Sequence, residues 1–215
     1  MTTTGLVIGV VAGVTPDTWV RTWRDRMPDA RLRVEPVADE QVQAALGDAL
    51  DMVLARLPIA GVDPAELHVI PLWDETPVVV AAKDHPIKVL DTVTLADLAD
   101  EELYPGWDDA TLDIVAAGHG IARMPQAVLR ATGRRDVVGR PITDAEPTRV
   151  GLVWRRTTEG PLVDEFIGIV RGRTVNSSRG SAEPAPPEPK AKRAPKDQKP
   201  RPKRPSPQRR RRQTR

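Results

Sequence analysis

The 215-residue sequence predicts an α/β body on parallel-type sheets followed by a disordered C-terminal tail, and three observations carry that prediction. Strand-like and helix-like periods alternate from Gly5 to Leu54, the pattern of β-α-β units. The run Val78-Val79-Val80-Ala81-Ala82 is continuously apolar, as in a strand covered on both faces. Charge also divides the chain. Residues 1–170 hold 16 Lys/Arg against 27 Asp/Glu, a net of −11, and residues 171–215 hold 16 against 3, a net of +13, which together give the overall +2.

Taken in order, Gly5 to Val11 reads as a buried parallel strand. The start MTTTGLVIGVVAGV has no basic n-region, and Gly9 and Gly13 break its apolar run, so it is neither a signal peptide nor a membrane span and the expected location is the cytoplasm. Thr15 as N-cap and Pro16 at the first helical position open a helix that sets Val20, Trp23 and Met27 on one face. Arg31 to Val37 alternates as a second strand. Asp39 to Leu50 reads as an amphipathic helix with Val42, Ala45, Leu46, Ala49 and Leu50 inward. Met52 to Leu54 is a short buried strand that leaves through Arg56-Leu57-Pro58. The run Leu67 to Ala82 is too long for one ordinary strand, and Pro71 and Pro77 interrupt it.

Farther along, Thr94-Leu95-Ala96-Asp97 is expected to begin the next helix with a capping-box-like pattern. Thr111 to Ala117 is a short helix with Gly118 at its C′ position, and Gly120 lets the next strand approach another backbone closely. Gln126 to Thr132 reads as helix, and Val137 to Ile142 and Arg149 to Trp154 as strands. Pro161 to Val170 is a final helix with Leu162, Val163, Phe166, Ile167 and Val170 inward.

Several of these words fall in a familiar order: Gly47, Leu50-Asp51 and Leu54; Leu67, Pro71-Leu72, Glu75, Val78 and Val80; then His85-Pro86-Ile87. They continue as Val93 to Ala99, Ala117 to Pro125 and Leu152 to Arg155. Over roughly residues 4–172 the chain resembles the effector-binding (substrate-binding) domain of the LysR-type transcriptional regulators. The resemblance implies a type 2 periplasmic-binding-protein-like fold of two lobes in residues 1–172. Lobe I is expected over about 1–83 plus C-terminal segments and lobe II over about 84–150, with the crossing near Lys83 to Asp91. Only 13 residues separate Tyr104 from Gly118, so the second lobe is expected to be abbreviated. The family's N-terminal helix-turn-helix is expected to be missing, since the chain opens on the effector domain's first strand.

Ligands of parallel sheets bind beyond the carboxyl ends of the strands, and helix N-termini favour carboxylates. Together with the resemblance this nominates Val14, Thr15, Arg56, Leu57, Pro58, Gly118, His119 and Gly120 for a small anionic effector, with Arg56 as its counter-charge. The simpler alternatives are that Thr15 only caps its helix and that Arg56 is structurally paired.

The inventory excludes much chemistry. There is no cysteine, and the serines are Ser177, Ser178, Ser181 and Ser206, so serine and cysteine nucleophiles are absent from the body. His68, His85 and His119 lack a partner at metal-ligand spacing, and no phosphate-binding P-loop occurs. Pairs such as Asp74-Glu75 read as solvated loop charges. No enzyme, cofactor or metal is expected.

From Thr174 the tail carries 9 of the 22 prolines and no aromatic residue. It has too little apolar surface to offset chain entropy. Lys190, Lys192, Arg193, Lys196, Lys199, Arg201, Lys203, Arg204, Arg209, Arg210, Arg211, Arg212 and Arg215 nominate it for nonspecific, salt-dependent nucleic-acid binding through counterion release. Two functions follow. One is a non-enzymatic LysR-like sensing module, with a homodimer or partner regulator expected from the resemblance. The other is a nucleic-acid-associated scaffold whose body docks proteins and whose cleft is vestigial.

Overall fold

The computed structural model describes residues 5–173. The tail from Thr174, with every basic residue nominated there for nucleic acid, lies outside the described residues. The described residues form two sheets. The first contains β1 (Gly5–Val10), β2 (Arg31–Pro36), β3 (Met52–Leu57), β4 (Leu67–Glu75) and β9 (Thr148–Arg155) in the order β2-β1-β3-β9-β4. The second contains β5 (Pro77–Ala82), β6 (Leu103–Tyr104), β7 (Ile121–Pro125) and β8 (Val137–Pro141) in the order β6-β7-β5-β8.

Among the named strands, β2-β1-β3 and β6-β7 pair in parallel; β9 runs antiparallel to both β3 and β4, and β5 antiparallel to β7 and β8. The sheets are therefore mixed, where the apolar runs had suggested parallel ones. The reason lies in β5: a strand buried on both faces is continuously apolar whichever way its neighbours run. Val78 and Val80 join one cluster of buried side chains and Val79 and Ala81 another.

The long extended run divides at Thr76. β4 stays at the edge of the first sheet, and β5 passes into the centre of the second. The crossing is thus earlier than the expected Lys83–Asp91, and Pro77 marks it. The return falls between β8 and β9.

Among the described residues five α-helices support the sheets: α1 (Asp17–Arg26), α2 (Val42–Ala45), α3 (Asp109–Ala116), α4 (Gln126–Thr132) and α5 (Pro161–Val170). Trp23 of α1 and Phe166 of α5 meet at 6.0 Å between ring centroids, and the Trp23 Nε1–H donates to the Ala30 carbonyl at 2.9 Å. In α5, Ile169 is buried and Leu162, Ile167 and Val170 are half-buried. The buried face is rotated toward Ile169 from the one the periodicity implied.

Two expected helix details fail. α1 begins at Asp17 with Pro16 in the cap position and no side-chain cap, so Thr15 is not an N-cap. The helix expected over Asp39 to Leu50 shrinks to a 3-10 turn and the four residues of α2. Leu46 turns extended, Gly47 takes φ +89°, and the Arg155 Nε–H donates to the Leu46 carbonyl at 2.8 Å. Arg155 also packs against Gly47, where a Cβ would lie 2.7 Å from its Cδ, and Ala49 is exposed.

Candidate ligand site at the crossing of the sheets

β3 is apolar and buried until its last turn of sequence, where Arg56 is itself buried. An arginine at the end of such a strand must find acceptors, because an unpaired charge out of water is costly. Arg56 finds four groups. Its Nε–H and one Nη2–H donate to the two oxygens of Glu75 at 2.8 and 3.1 Å, a bidentate pair. Nη2 also donates to the Ala12 carbonyl at 2.7 Å, and Nη1 to Asp39 Oδ2 at 3.0 Å. Above it lies the Trp107 ring, whose centroid is 5.8 Å from the guanidinium carbon, within cation–π range.

The arrangement ties distant parts of the sequence together. Ala12 follows β1, Asp39 follows β2, Arg56 ends in β3, and Glu75 is the last residue of β4 before the crossing. Trp107 belongs to the loop between β6 and α3, on the side of the second sheet. Beside this knot is a pocket of ≈ 320 Å³ lined by Asp39, Glu40, Val42, Ala55, Arg56, Pro58, Ile59, Ala60, Trp107 and Thr148. That volume is at the lower end for small-molecule sites. Burial pushes the Asp39 carboxyl above its ordinary 3.8; the charge and hydrogen bond of Arg56 oppose this, and Glu40 adds to it.

The nominated residues separate into two groups. Arg56 and Pro58 line the pocket, and Leu57 is half-buried beside Gly151, joined to Pro58 by a cis peptide bond. Val14 is a core residue of the first sheet and Thr15 is exposed; neither lines the pocket. Their loop instead approaches the second sheet's α4: a Cβ on Gly13, at φ +81°, would lie 2.7 Å from the Val128 nitrogen.

Gly118, His119 and Gly120 precede β7, at its other end from the crossing. That strand pairs Pro125 with Pro77 at the crossing and runs from there back to Ile121, so the glycine pair is remote from the pocket. Gly118 closes α3, with its own N–H on the Val115 carbonyl and that of His119 on Ile114, at 3.0 and 3.3 Å. Gly120 makes the expected close approach, since a Cβ there would fall 2.3 Å from the Glu102 carbonyl oxygen.

Sequence reasoning missed Asp39, Glu40, Glu75, Ile59, Ala60, Trp107 and Thr148. Glu75 was read as solvated, yet only 5% of it is exposed. The available signal was a lone arginine closing an apolar strand, which requires acids that the sequence cannot rank. Asp74, its neighbour, does face solvent and pairs with Arg149 through contacts of 2.6 and 2.8 Å.

Among the described residues there is no helix long and apolar enough to cross a membrane and no cluster of His, Cys, Asp or Glu that would hold a metal.

Residues 5–104 match the family model described as the LysR substrate binding domain. No curated protein matches the chain by sequence. Among solved structures, the BenM effector binding domain with its effector benzoate has a TM-score of 0.62 at 20% identity, with 78% of this chain and 90% of that one covered. Full-length BenM gives 0.62 and 20%, over 78% of this chain and 66% of that one. A cysteine-to-serine mutant of Corynebacterium glutamicum OxyR, H2O2-bound, gives 0.61 and 22%, over 79% and 64%. The chain therefore spans about two thirds of the length of these two longer structures.

Proposed function

Since residues 5–104 match the LysR substrate binding domain model, we propose that the chain is a cytoplasmic, non-enzymatic regulatory module of that kind, which senses a small organic effector and whose basic tail holds nucleic acid. The observation that carries the sensing role is the pocket beside Arg56. It sits where the carboxyl ends of β1 and β3 meet the crossing, the position at which open α/β sheets receive ligands. The relatives support a regulatory role, since the solved structures of similar fold are described as effector-binding or regulatory domains.

In this reading Arg56 is an organiser. It fixes Asp39, Glu75 and Trp107 around the pocket, and contact with the effector falls to Pro58, Ile59, Trp107, Thr148 and the acids. The glycine pair at Gly118 and Gly120 drops out. Binding would stabilise the folded state by about 2.7 kcal/mol at a ligand concentration a hundredfold above Kd. A thermal-shift screen of small organic acids, amines and neutral aromatics against the full-length protein tests this. Saturable stabilisation by at least one class is expected, and a flat response to all of them at millimolar concentration would remove the sensing role.

The tail's role rests on its charge of +13 over residues 171–215. Replacing Arg209 to Arg212 by glutamine should weaken binding to duplex DNA and to RNA alike, and reduce the slope of log affinity against log salt by about 3 to 4. A full-length chain that binds no nucleic acid at low salt would contradict it.

A further inference from the structure

We propose that the pocket beside Arg56 selects a small organic cation, an amine or amidine on a compact apolar body, in preference to a carboxylate. The inference deepens the sensing role proposed above and rests on it.

Arg56 is the sole cation among the residues lining the pocket. Four of the five N–H bonds of its guanidinium are already directed at Glu75, Asp39 and the Ala12 carbonyl. An incoming carboxylate would have to displace Glu75 or Asp39 to gain a bidentate pair. Displacing Glu75, whose side chain is 3% exposed, would strand a carboxylate in the interior.

The charge of the wall points the same way. Asp39 and Glu40 line the pocket together with Arg56, and the charge of Arg56 is already met by Glu75 behind the lining, so the wall itself carries a surplus of negative charge. Asp39 is the natural anchor. Its carboxylate accepts one good hydrogen bond, from Arg56 Nη1, and its side chain is 26% exposed, so lone pairs remain for a second donor. A neighbouring cation would also favour the charged form of Asp39 that burial disfavours.

The rest of the lining suits the remainder of such a ligand. Val42, Ala55, Pro58, Ile59 and Ala60 offer apolar surface, and Trp107 presents an aromatic ring, which attracts cations through its quadrupole. A cation with a hydrocarbon body thus meets a carboxylate, an indole and an aliphatic wall. A carboxylate of the same shape meets like charge.

The test uses the full-length protein at neutral pH with shape-matched probes: benzylamine and benzamidine against benzoate, and butylamine against butyrate, by thermal shift and calorimetry. Benzylamine or benzamidine is expected to stabilise the protein saturably and to bind at least tenfold more tightly than benzoate. Asp39→Asn should lower amine affinity about tenfold or more. Because that substitution also touches the Arg56 knot, the exposed Glu40→Gln serves as the second variant, with a few-fold loss of amine affinity and an unchanged Tm without ligand. Benzoate binding more tightly than benzylamine would overturn the cation preference while leaving the sensing role standing. Amine binding indifferent to both substitutions would remove the assignment to this pocket. No binding by any probe would overturn the preference and count against the sensing role as well.

Discussion

Around the first sheet, 21 buried apolar side chains form one continuous cluster, from Leu6 on β1 through Trp23 and Phe166 to Trp154 on β9. Around the second sheet burial is split into two clusters of seven, one on each face of β5. The difference teaches how the protein divides its tasks. A single large core gives the first sheet a high cost of opening, and it is this sheet that carries Arg56, Asp39 and Glu75. The second sheet, with two thin cores, opens at lower cost and carries Trp107, the aromatic wall of the pocket.

Substitutions that unbalance the comparison should follow a definite order. Arg56→Leu removes the cation from Glu75 and Asp39 and leaves buried acid uncompensated, so a loss of about 3–5 kcal/mol is expected in chemical denaturation. Phe166→Ala, in the large core, should cost about 3–5 kcal/mol and raise amide exchange throughout the first sheet. Leu112→Ala, in a small core, should cost about 2–5 kcal/mol, with faster exchange confined to the second sheet. Uniform acceleration in both variants would show that the two halves open as one and would break the contrast.

Glycines sharpen it on a smaller scale. Gly13→Ala forces a side chain into the backbone of α4 at a positive φ and should cost about 1–3 kcal/mol. Gly118→Ala meets open space and should cost about 1 kcal/mol from its left-handed backbone alone. Equal losses would deny that the Gly13 loop is pressed against the second sheet.

The smallest effect is on pH. Asp97 and Asp108 are held below 3.8 by hydrogen bonds from Thr94 and Thr111, and Asp74 and Asp136 by those from Arg149 and Arg134. Depressed carboxyls stabilise the fold fully above 3.8 and lose that contribution as pH falls through their lower folded values. Asp39, facing Arg56 and Glu40, is shifted the other way and takes up its proton at a higher pH. On acidification, amine affinity should therefore fall before stability does. Asp39→Asn should flatten the affinity profile, whereas loss of both together would place Asp39 with the other acids.

Much of the fold was legible because its signals are local. α4 and α5 begin and end where Pro125, Gln126, Pro161 and the apolar period place them. The Thr94–Asp97 box forms, with Asp97 accepting from the Thr94 N–H at 2.7 Å, but it opens only the 3-10 turn Ala96–Leu98 and not the expected helix. The crossing at Thr76 was harder to read, because β4 and β5 are both extended and the backbone changes sheet without changing conformation. The end of α2 was hidden for another reason: the carbonyl of Leu46, where the helix stops, is met by Arg155, 109 residues away. The pocket suffers from the same distance problem. Arg56 was visible as a polar end on an apolar strand, but its acids lie 17 and 19 residues to either side. Trp107 arrives from the other sheet. Gly118 and Gly120 were legible as a helix end and a close strand approach, since both roles are local.

The most direct test is a residue-resolved NMR titration of the full-length protein with benzylamine, with benzoate as the matched control. Shift changes that saturate and cluster on Asp39, Glu40, Ala55 to Ala60, Trp107 and Thr148 are expected with the amine, and weaker changes at the same positions with the acid. Changes centred on Gly118 to Gly120, or none along β3 and at Trp107, would contradict the site described here.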